Sequence, residues 1–598
     1  MDIFNVLTLV CGLALFLYGM DVMGSSLKKS AGRKLKTILG NLTSSKFKGF
    51  LLGLVVTAII QSSSATTVMV VGFVNSGTMA LGQAVGVIIG ANVGTAVTSW
   101  ITALNGIEGG SESIAWLSYL KPDAWMPILA VIGIILFMFA KKSRSKDMGS
   151  ILLGFAVLMV GMDIMSGAVS GLKGDPQFAS ILTMFSNPIL GVLAGVALTA
   201  IVQSSSASIG ILQALSSTGA ITYGAAIPIV MGQNIGTCVT AMLSSMGANK
   251  SGKRAAFIHL YYNVLGVVLF LLLYYVGGWI LDLTGVYDLL GAADGAVIDM
   301  WGIAIVHTGF KIFSLVALWP LTKFIEKLAC KTVRGNDRKG DEFTDMLDER
   351  LLETPTVAID RSRSVMIQMS RISTEALQKS LTLFDNYDDK VAEEVRTLEN
   401  KADIYEDVLG SYLVKLSGKD MDEKDNHEVS KLLHMIGDFE RISDHAVNLV
   451  ESAEELKDKG IAFSENAQCE LAQMRAAVEE TVVITDSAFA HSDIVMAAKV
   501  EPLEQVVDYL KDGIKKNHIQ RLQKSECTIE HGFVLSDVLN NLERVSDHCS
   551  NIAGCLIEMA QHDSLGLHGY LHEVKEGGAE FHRLYGEFME KYKLPDTK

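Results

Sequence analysis

"TAIIQSSSATT" spans residues 57–67 and "TAIVQSSSASI" spans residues 199–209. Each places one Gln and three Ser inside an otherwise apolar run. Shifted by 142 residues, the chain aligns with itself without a gap over 19–98, with 26 identities in 80 pairs. "GMDVM" (19–23) meets "GMDIM" (161–165), and "GANVGTAVT" (90–98) meets "GQNIGTCVT" (232–240). The polar interruptions are thus duplicated in register. In a membrane chain, matched interruptions in two halves point to a binding site.

The rest of the composition supports a membrane setting for this half. Residues 1–325 hold 18 Lys+Arg and 12 Asp+Glu, while the remaining residues hold 33 and 54. The net charge of −15 therefore belongs to the second half. All six Trp and the uncharged runs 125–140 and 227–248 fall in the first half. Runs of this length read as membrane spans. Residues 3–23 lack a basic leader and a cleavage pattern, so they read as a retained span. Lys and Arg gather on cytoplasmic loops. Basic residues at 24–48, 141–147 and 249–254, against acidic or neutral loops at 104–123, 170–188 and 284–300, place the amino terminus outside and the carboxy terminus inside. Repeat 1 and repeat 2 then have opposite orientations. Trp100, Trp116, Trp125, Trp279 and Trp301 fall at the expected outer interface. The seven Cys have no framework or metal spacing and read as reduced thiols.

Residues 49–101 must cross the membrane an odd number of times, yet 49–60 and 65–76 are short for full spans at 1.5 Å per residue. The expectation is a pair of half-helices that enter and return, with the QSSS at the break. Irregular backbone is tolerated at membrane depth only where it is buried in protein or lines a cavity. A broken helix exposes N–H groups and partial positive charge, which suit an anion. Ser and Gln can also turn oxygens to a cation. Ser in membrane helices often serves close packing alone, but packing does not call for a duplicated Gln. The candidate binding residues are Gln61, Ser62, Ser63, Ser64, Gln203, Ser204, Ser205 and Ser206. Asn92, Thr95, Asn234 and Thr237 of the second shared motif join them, with Gly beside them to let the backbone approach or unwind. Asp21 and Asp163 sit at equivalent places and are open as ion-path carboxylates. His307 and Lys311, four residues apart on a late span, read as a pore-lining or interface pair without a transport role.

Duplicated QSSSA with duplicated GxNxGTxxT resembles the type II sodium/phosphate cotransporter family over about residues 5–325. The resemblance implies two inverted repeats whose QSSS hairpins meet at the midplane. It also implies import of inorganic phosphate with sodium, their sites lined by Gln61, Ser62, Ser63 and Ser64 with Gln203, Ser204, Ser205 and Ser206.

Residues 350–562 differ in kind. They are charged and nearly free of Pro, with apolar residues recurring at three and four, as in amphipathic helices of a bundle. Helices are expected at about 356–384, 388–417, 425–457, 465–490, 494–524 and 528–562. "DFERISDHAVN" (438–448) repeats as "NLERVSDHCSN" (541–551). Each half carries two Glu-x-x-x-Asp pairs: Glu399/Asp403 with Glu440/Asp444, and Glu504/Asp508 with Glu543/Asp547. Spacing of four puts both carboxylates on one helix face, and facing pairs could gather around metal ions. The plain alternative is a solvated acidic face. His445 and His548 point about 100° away and are weaker ligand candidates. The pattern resembles the PhoU family of paired three-helix bundles. The resemblance implies that the eight carboxylates bind iron, zinc or magnesium-like ions.

The expected fold is all-α: a polytopic membrane protein of two inverted repeats with re-entrant hairpins, followed by a cytoplasmic PhoU-like pair of bundles. Repeat 1 would occupy 1–147 and repeat 2 with the final spans 148–325. A linker (326–355), the PhoU-like domain (356–562) and a helical tail (563–598) would follow. The expected function is sodium-coupled phosphate import across a bacterial cytoplasmic membrane, regulated by the metal-binding domain. The rival is a membrane-anchored phosphate or metal sensor without significant transport. The partners are then phosphate, sodium and lipid, with homo-oligomers or a signalling partner left open and no nucleic acid. No P-loop, HExxH or GxSxG motif suggests an enzyme.

Overall fold

The computed structural model describes residues 3–41, 45–106, 122–173, 175–283, 296–335, 347–561 and 578–595. Glu108, Glu112 and Trp116, most of the loop 284–300, and the tail up to residue 577 lie outside the described residues. The chain divides into two compact units, Met1–Thr356 and Val357–Lys598. Among the described residues, β structure is limited to one bridge, Thr222 to Val297.

In the first unit, α1 (Ile3–Asn41) leads to α2 (Lys46–Ile60), α3 (Ser63–Asn75), α4 (Leu81–Gly94) and α5 (Ala96–Ala103). After α6 (Pro122–Phe139) the pattern repeats. It runs through α7 (Ser143–Val169), α8 (Pro176–Met184), α9 (Pro188–Val202), α10 (Ser205–Ser216), α11 (Tyr223–Gly236) and α12 (Cys238–Ser244). The unit continues with α13 (Lys250–Leu283), α14 (Met300–Leu318) and α15 (Thr322–Thr332). Six helices are long and apolar enough to cross a membrane among the described residues. The pair α8–α9, bent by 97°, would make a seventh.

Small residues set how the repeats meet, as expected where lipid removes the usual hydrophobic drive between helices. On α1, a Cβ at Gly12 would lie 2.9 Å from the Gly161 carbonyl, and one at Gly19 would lie 2.6 Å from that of Gly154. Gly154 and Gly161 are the repeat partners of Gly12 and Gly19. The contacts pair the earlier glycine of one helix with the later glycine of the other, so α1 and α7 run antiparallel. The expected inversion of the two repeats is thus built into their seam.

In the second unit, α16 (Pro355–Thr382), which opens just before the boundary, is followed by α17 (Asp389–Ser417) and α18 (Glu423–Lys459). Then come α19 (Glu465–His491), the short α20 (Ile494–Ala497), α21 (Val500–Gln523), α22 (Ile529–Gln561) and α23 (Ala579–Lys591). Periodic apolar residues bury the core, among them Phe439, Phe489, Leu539 and Leu542. The helix expected over 494–524 is interrupted at residues 498–499, just before Val500 and three residues before Pro502. Pro lacks the N–H needed inside a helix and is tolerated in a first turn. All seven cysteines are free thiols.

The seam yields a stability test. Gly161→Ala would put a Cβ 2.4 Å from the Phe16 amide nitrogen, while Gly167 on the same helix faces open space. Thermal melting in detergent should show Gly161→Ala destabilised by about 1–3 kcal/mol or more and Gly167→Ala unchanged or slightly stabilised.

Candidate functional site

Helix α2 ends at Gln61 with φ 58° and ψ 23°, and α9 ends at Gln203 with φ 56° and ψ 19°. Both are left-handed, a conformation that costs a non-glycine residue roughly 1–2 kcal/mol. Each Gln amide closes its helix, Gln61 N–H donating to the Thr57 carbonyl at 2.8 Å and Gln203 N–H to Thr199 at 2.7 Å. The next residue opens a new helix. The Ser62 hydroxyl accepts from the Ala65 amide at 3.1 Å, and the Ser204 hydroxyl from the Ala207 amide at 3.2 Å. The QSSS string therefore encodes a helix stop, a left-handed turn and an N-cap in four residues. The first and second Ser have different work: Ser62 and Ser204 cap, whereas Ser63 and Ser205 begin the new helices.

The two breaks converge. All eight Gln and Ser residues line one cavity of about 370 Å³, with Asp21 and Lys28 of α1 and Glu353 also at its wall. The amino termini of α3 and α10 thus open onto a shared space with free N–H groups and hydroxyls. That arrangement suits an oxyanion. Long-range hydrogen bonds brace it. The Thr98 hydroxyl donates to the Gln61 side-chain oxygen at 2.9 Å. Thr102 of repeat 1 donates to the Gln213 side chain of repeat 2 at 2.5 Å. Gln213 returns a bond to the Ser99 carbonyl at 3.0 Å.

The second motif is placed differently. Asn92, Thr95, Asn234 and Thr237 are buried, but none lines this cavity. The Thr95 and Thr237 hydroxyls donate back to the Ala91 and Gln233 carbonyls, and the Asn92 and Asn234 amides to Ile88 and Val230. This is local bonding at the helix ends. Asn92 has a further partner that the repeat does not reveal: Lys311 Nζ donates to its Oδ1 at 3.1 Å, 219 residues away. His307 Nδ1 lies 3.2 Å from the Ser99 hydroxyl. The pair read as an interface therefore braces the α4–α5 break. Asp163, unlike Asp21, lies away from the cavity and accepts from the Asn105 amide at 2.8 Å.

In the second unit the acidic pairs draw together in two groups. Glu399, Asp403 and Asp444 act on one another electrostatically, as do Glu440, Asp444 and Glu406. Glu406 continues the face of Glu399 and Asp403 at spacing i, i+4, i+7, a signal present in the sequence but unused. Burial first, then Asp444 and Glu406, push the Glu440 carboxyl up to about 7. In the other group, burial and then Glu543 and Asp508 raise the Asp547 carboxyl. Here a lysine intervenes, Lys511 pairing with Glu543 at 2.8 Å. Glu504 accepts from Gln505 at 2.7 Å. Among the described residues, no three Asp, Glu, His or Cys side chains stand in metal-holding geometry. The groups fit a cation by charge without forming a closed ligand set. His445 donates to Asn541 at 2.8 Å and His548 to Asp438 at 2.9 Å, joining α18 to α22.

This architecture, paired broken helices in inverted repeats, is that of a membrane transporter. The family model for the Na+/Pi-cotransporter matches residues 15–167 and 168–281, and that for the PhoU domain matches 366–453 and 471–556. The chain belongs to the Na+/Pi-cotransporter family and carries a PhoU domain. It is similar to YjbB of Escherichia coli (strain K12), a protein named for inorganic phosphate export. The two are 23% identical over 570 residues, covering 94% of this chain and 98% of that one. It is 32% identical over 259 residues to the uncharacterized protein YqeW of Bacillus subtilis, covering 43% of this chain and 78% of YqeW. It is 41% identical over 130 residues to the sodium-dependent phosphate transport protein 2B of Homo sapiens, covering 20% of this chain and 19% of that protein.

Proposed function

We propose that the chain is a secondary carrier that moves inorganic phosphate through the QSSS cavity, coupled to sodium, across a bacterial cytoplasmic membrane. The observation that carries this reading is the convergence of two half-helix amino termini and eight duplicated polar residues on one cavity. An anion at membrane depth is costly alone, and sodium would offset its charge. Hard cations favour oxygens, which Ser and Gln supply. Coupling to the sodium gradient would drive phosphate inward, with the amino terminus outside and the PhoU domain in the cytoplasm. Rocking of one repeat against the other would alternate access. A second reading, export, is favoured by the name of the relative that aligns over 94% of the chain, the phosphate export protein YjbB. Either way the chain's work is transport, not chemical conversion.

Labelled phosphate in proteoliposomes separates the readings. An inward sodium gradient should accelerate uptake over a potassium control, and Ser63→Ala or Ser205→Ala should weaken apparent phosphate affinity about 10–100-fold. Uptake indifferent to sodium would remove the coupling. Flux confined to efflux would favour export. No flux in either direction would leave a sensor.

For the PhoU domain we propose divalent or iron-type cations on the two acidic groups, in a regulatory role. A cation competes with the proton that the Glu440 group holds up to about 7. Ion uptake should therefore release protons and strengthen as pH rises from 5.5 to 8. Equilibrium dialysis of the full chain should show the first group's ion lost in Glu440→Gln/Asp444→Asn and the second group's in Glu543→Gln/Asp547→Asn. Equal retention of ions by both variants would refute the assignment.

A further inference from the structure

Residues 326–355 read in the sequence as a linker. In the structure its last part, Asp348–Thr354, is fastened to both repeats, and its Glu353 lines the cavity. Asp348 caps a 3-10 turn, Glu349–Glu353, by accepting from the Arg350 amide at 2.9 Å. The Asp348 side chain also accepts from the Asn75 amide at 2.7 Å, at the end of α3 in repeat 1. Arg350 pairs with Asp348 at 2.6 Å and donates through Nε to the Ser244 carbonyl at 2.7 Å, at the end of α12 in repeat 2. Asp348 and Arg350 thus tie the end of α3 in repeat 1 to the end of α12 in repeat 2. Asn75 itself accepts from the Asn249 amide of repeat 2 at 2.7 Å. Leu351 is fully buried, and its Cδ2 lies 3.1 Å from where a Gly72 Cβ would stand. The Thr354 hydroxyl donates to the Met69 sulfur at 3.3 Å. Lys28 of α1 donates to the Glu353 carbonyl, and Lys28 and Glu353 both line the cavity.

We propose that Asp348–Thr354 is a latch and cavity wall. It holds the two repeats together on this side and places Glu353 in the wall of the space that receives an anion. The physical grounds are specific. A solvated linker has no reason to bury Leu351, Leu352, Asp348 and Thr354. A buried carboxylate is retained only with partners, and Asp348 has an amide from one repeat and an arginine anchored on the other. Movement of one repeat against the other must break the Asn75–Asp348 or the Arg350–Ser244 bond, because the 3-10 turn is too short to stretch between them. Closed, the latch excludes an anion by bulk, with Glu353 and Lys28 side by side in the wall. Pro355 follows directly and opens the helix that enters the PhoU domain. Any displacement of that helix therefore draws on the latch through a single residue. The inference rests on the reading of the cavity as the phosphate path.

The test uses the full chain with Asn75→Cys/Asp348→Cys, with a Ser64→Cys version to report cavity access. Cross-linking is followed by peptide mass, and access by the rate at which a water-soluble maleimide labels residue 64. Oxidation should slow phosphate flux at least tenfold in Asn75→Cys/Asp348→Cys with Ser64 intact, and slow labelling by a similar factor in the version that also carries Ser64→Cys, and reductant should restore each. With Ser64→Cys as the common background, adding Asp348→Ala/Arg350→Ala should speed labelling by a similar factor over Ser64→Cys alone. Complete cross-linking with labelling and flux unchanged overturns the latch, whether or not the alanine variant folds. If the reduced protein carries no phosphate but cross-linking still slows labelling, the latch stands and the phosphate reading fails.

Discussion

A membrane interior offers no water to a broken helix, so every break must be closed by protein. Here Gln61 and Gln203 finish one helix in the left-handed conformation, and Ser62 and Ser204 start the next. The Gln amides close the helices before each break and the Ser hydroxyls cap those after it, which leaves the first N–H groups of α3 and α10 without an intrahelical partner. Those groups are left to a cavity instead of to lipid. The repeat seam, the hydrogen bonds across repeats and the latch serve to keep that cavity inside the protein.

The duplication is not a symmetry of equals. Repeat 1 carries a bonded Thr57–Thr66 pair at 3.0 Å. The corresponding Thr199 and Ser208 hydroxyls make no protein hydrogen bond. Lys311 reaches Asn92 but has no counterpart by the 142-residue shift, because α14 lies beyond the repeat. A buried ammonium is costly in lipid. Its position near the carboxyl end of α4 suits the negative end of the helix dipole. The asymmetry gives the two halves unequal electrostatics around a shared cavity.

The PhoU domain applies a related constraint in water. Burial first, then like charges on the same and neighbouring helices, raise the carboxyls of Glu440 and Asp547, so each group holds a repulsion that a cation would relieve. Lys511 partly meets this need in one half through Glu543, and the other half has no such lysine at the equivalent pair. The two bundles are joined by His445 to Asn541 and His548 to Asp438. The histidines next to the acidic motif therefore tie the halves together.

Much of this was legible as pattern. Periodicity marks the helices of the second unit to within a few residues, because an amphipathic stripe is a local property. A self-alignment at one offset exposes the repeats, and the distribution of Lys and Arg implies their inversion. Glu406 was also within reach, at the next turn of an acidic face. Other features carry no local signature. That Asn92 turns to Lys311, that the shared Asn and Thr bond back onto their own helices, and that a supposed linker seats Asp348 against Asn75 all depend on which surfaces pack together. Hydrogen bonds between residues more than two hundred positions apart are written in the packed geometry, where burial gives a polar atom few partners. The order of residues along the chain specifies helices, breaks and their duplication. The arrangement of those helices in space selects which broken ends face the cavity and which segment closes it.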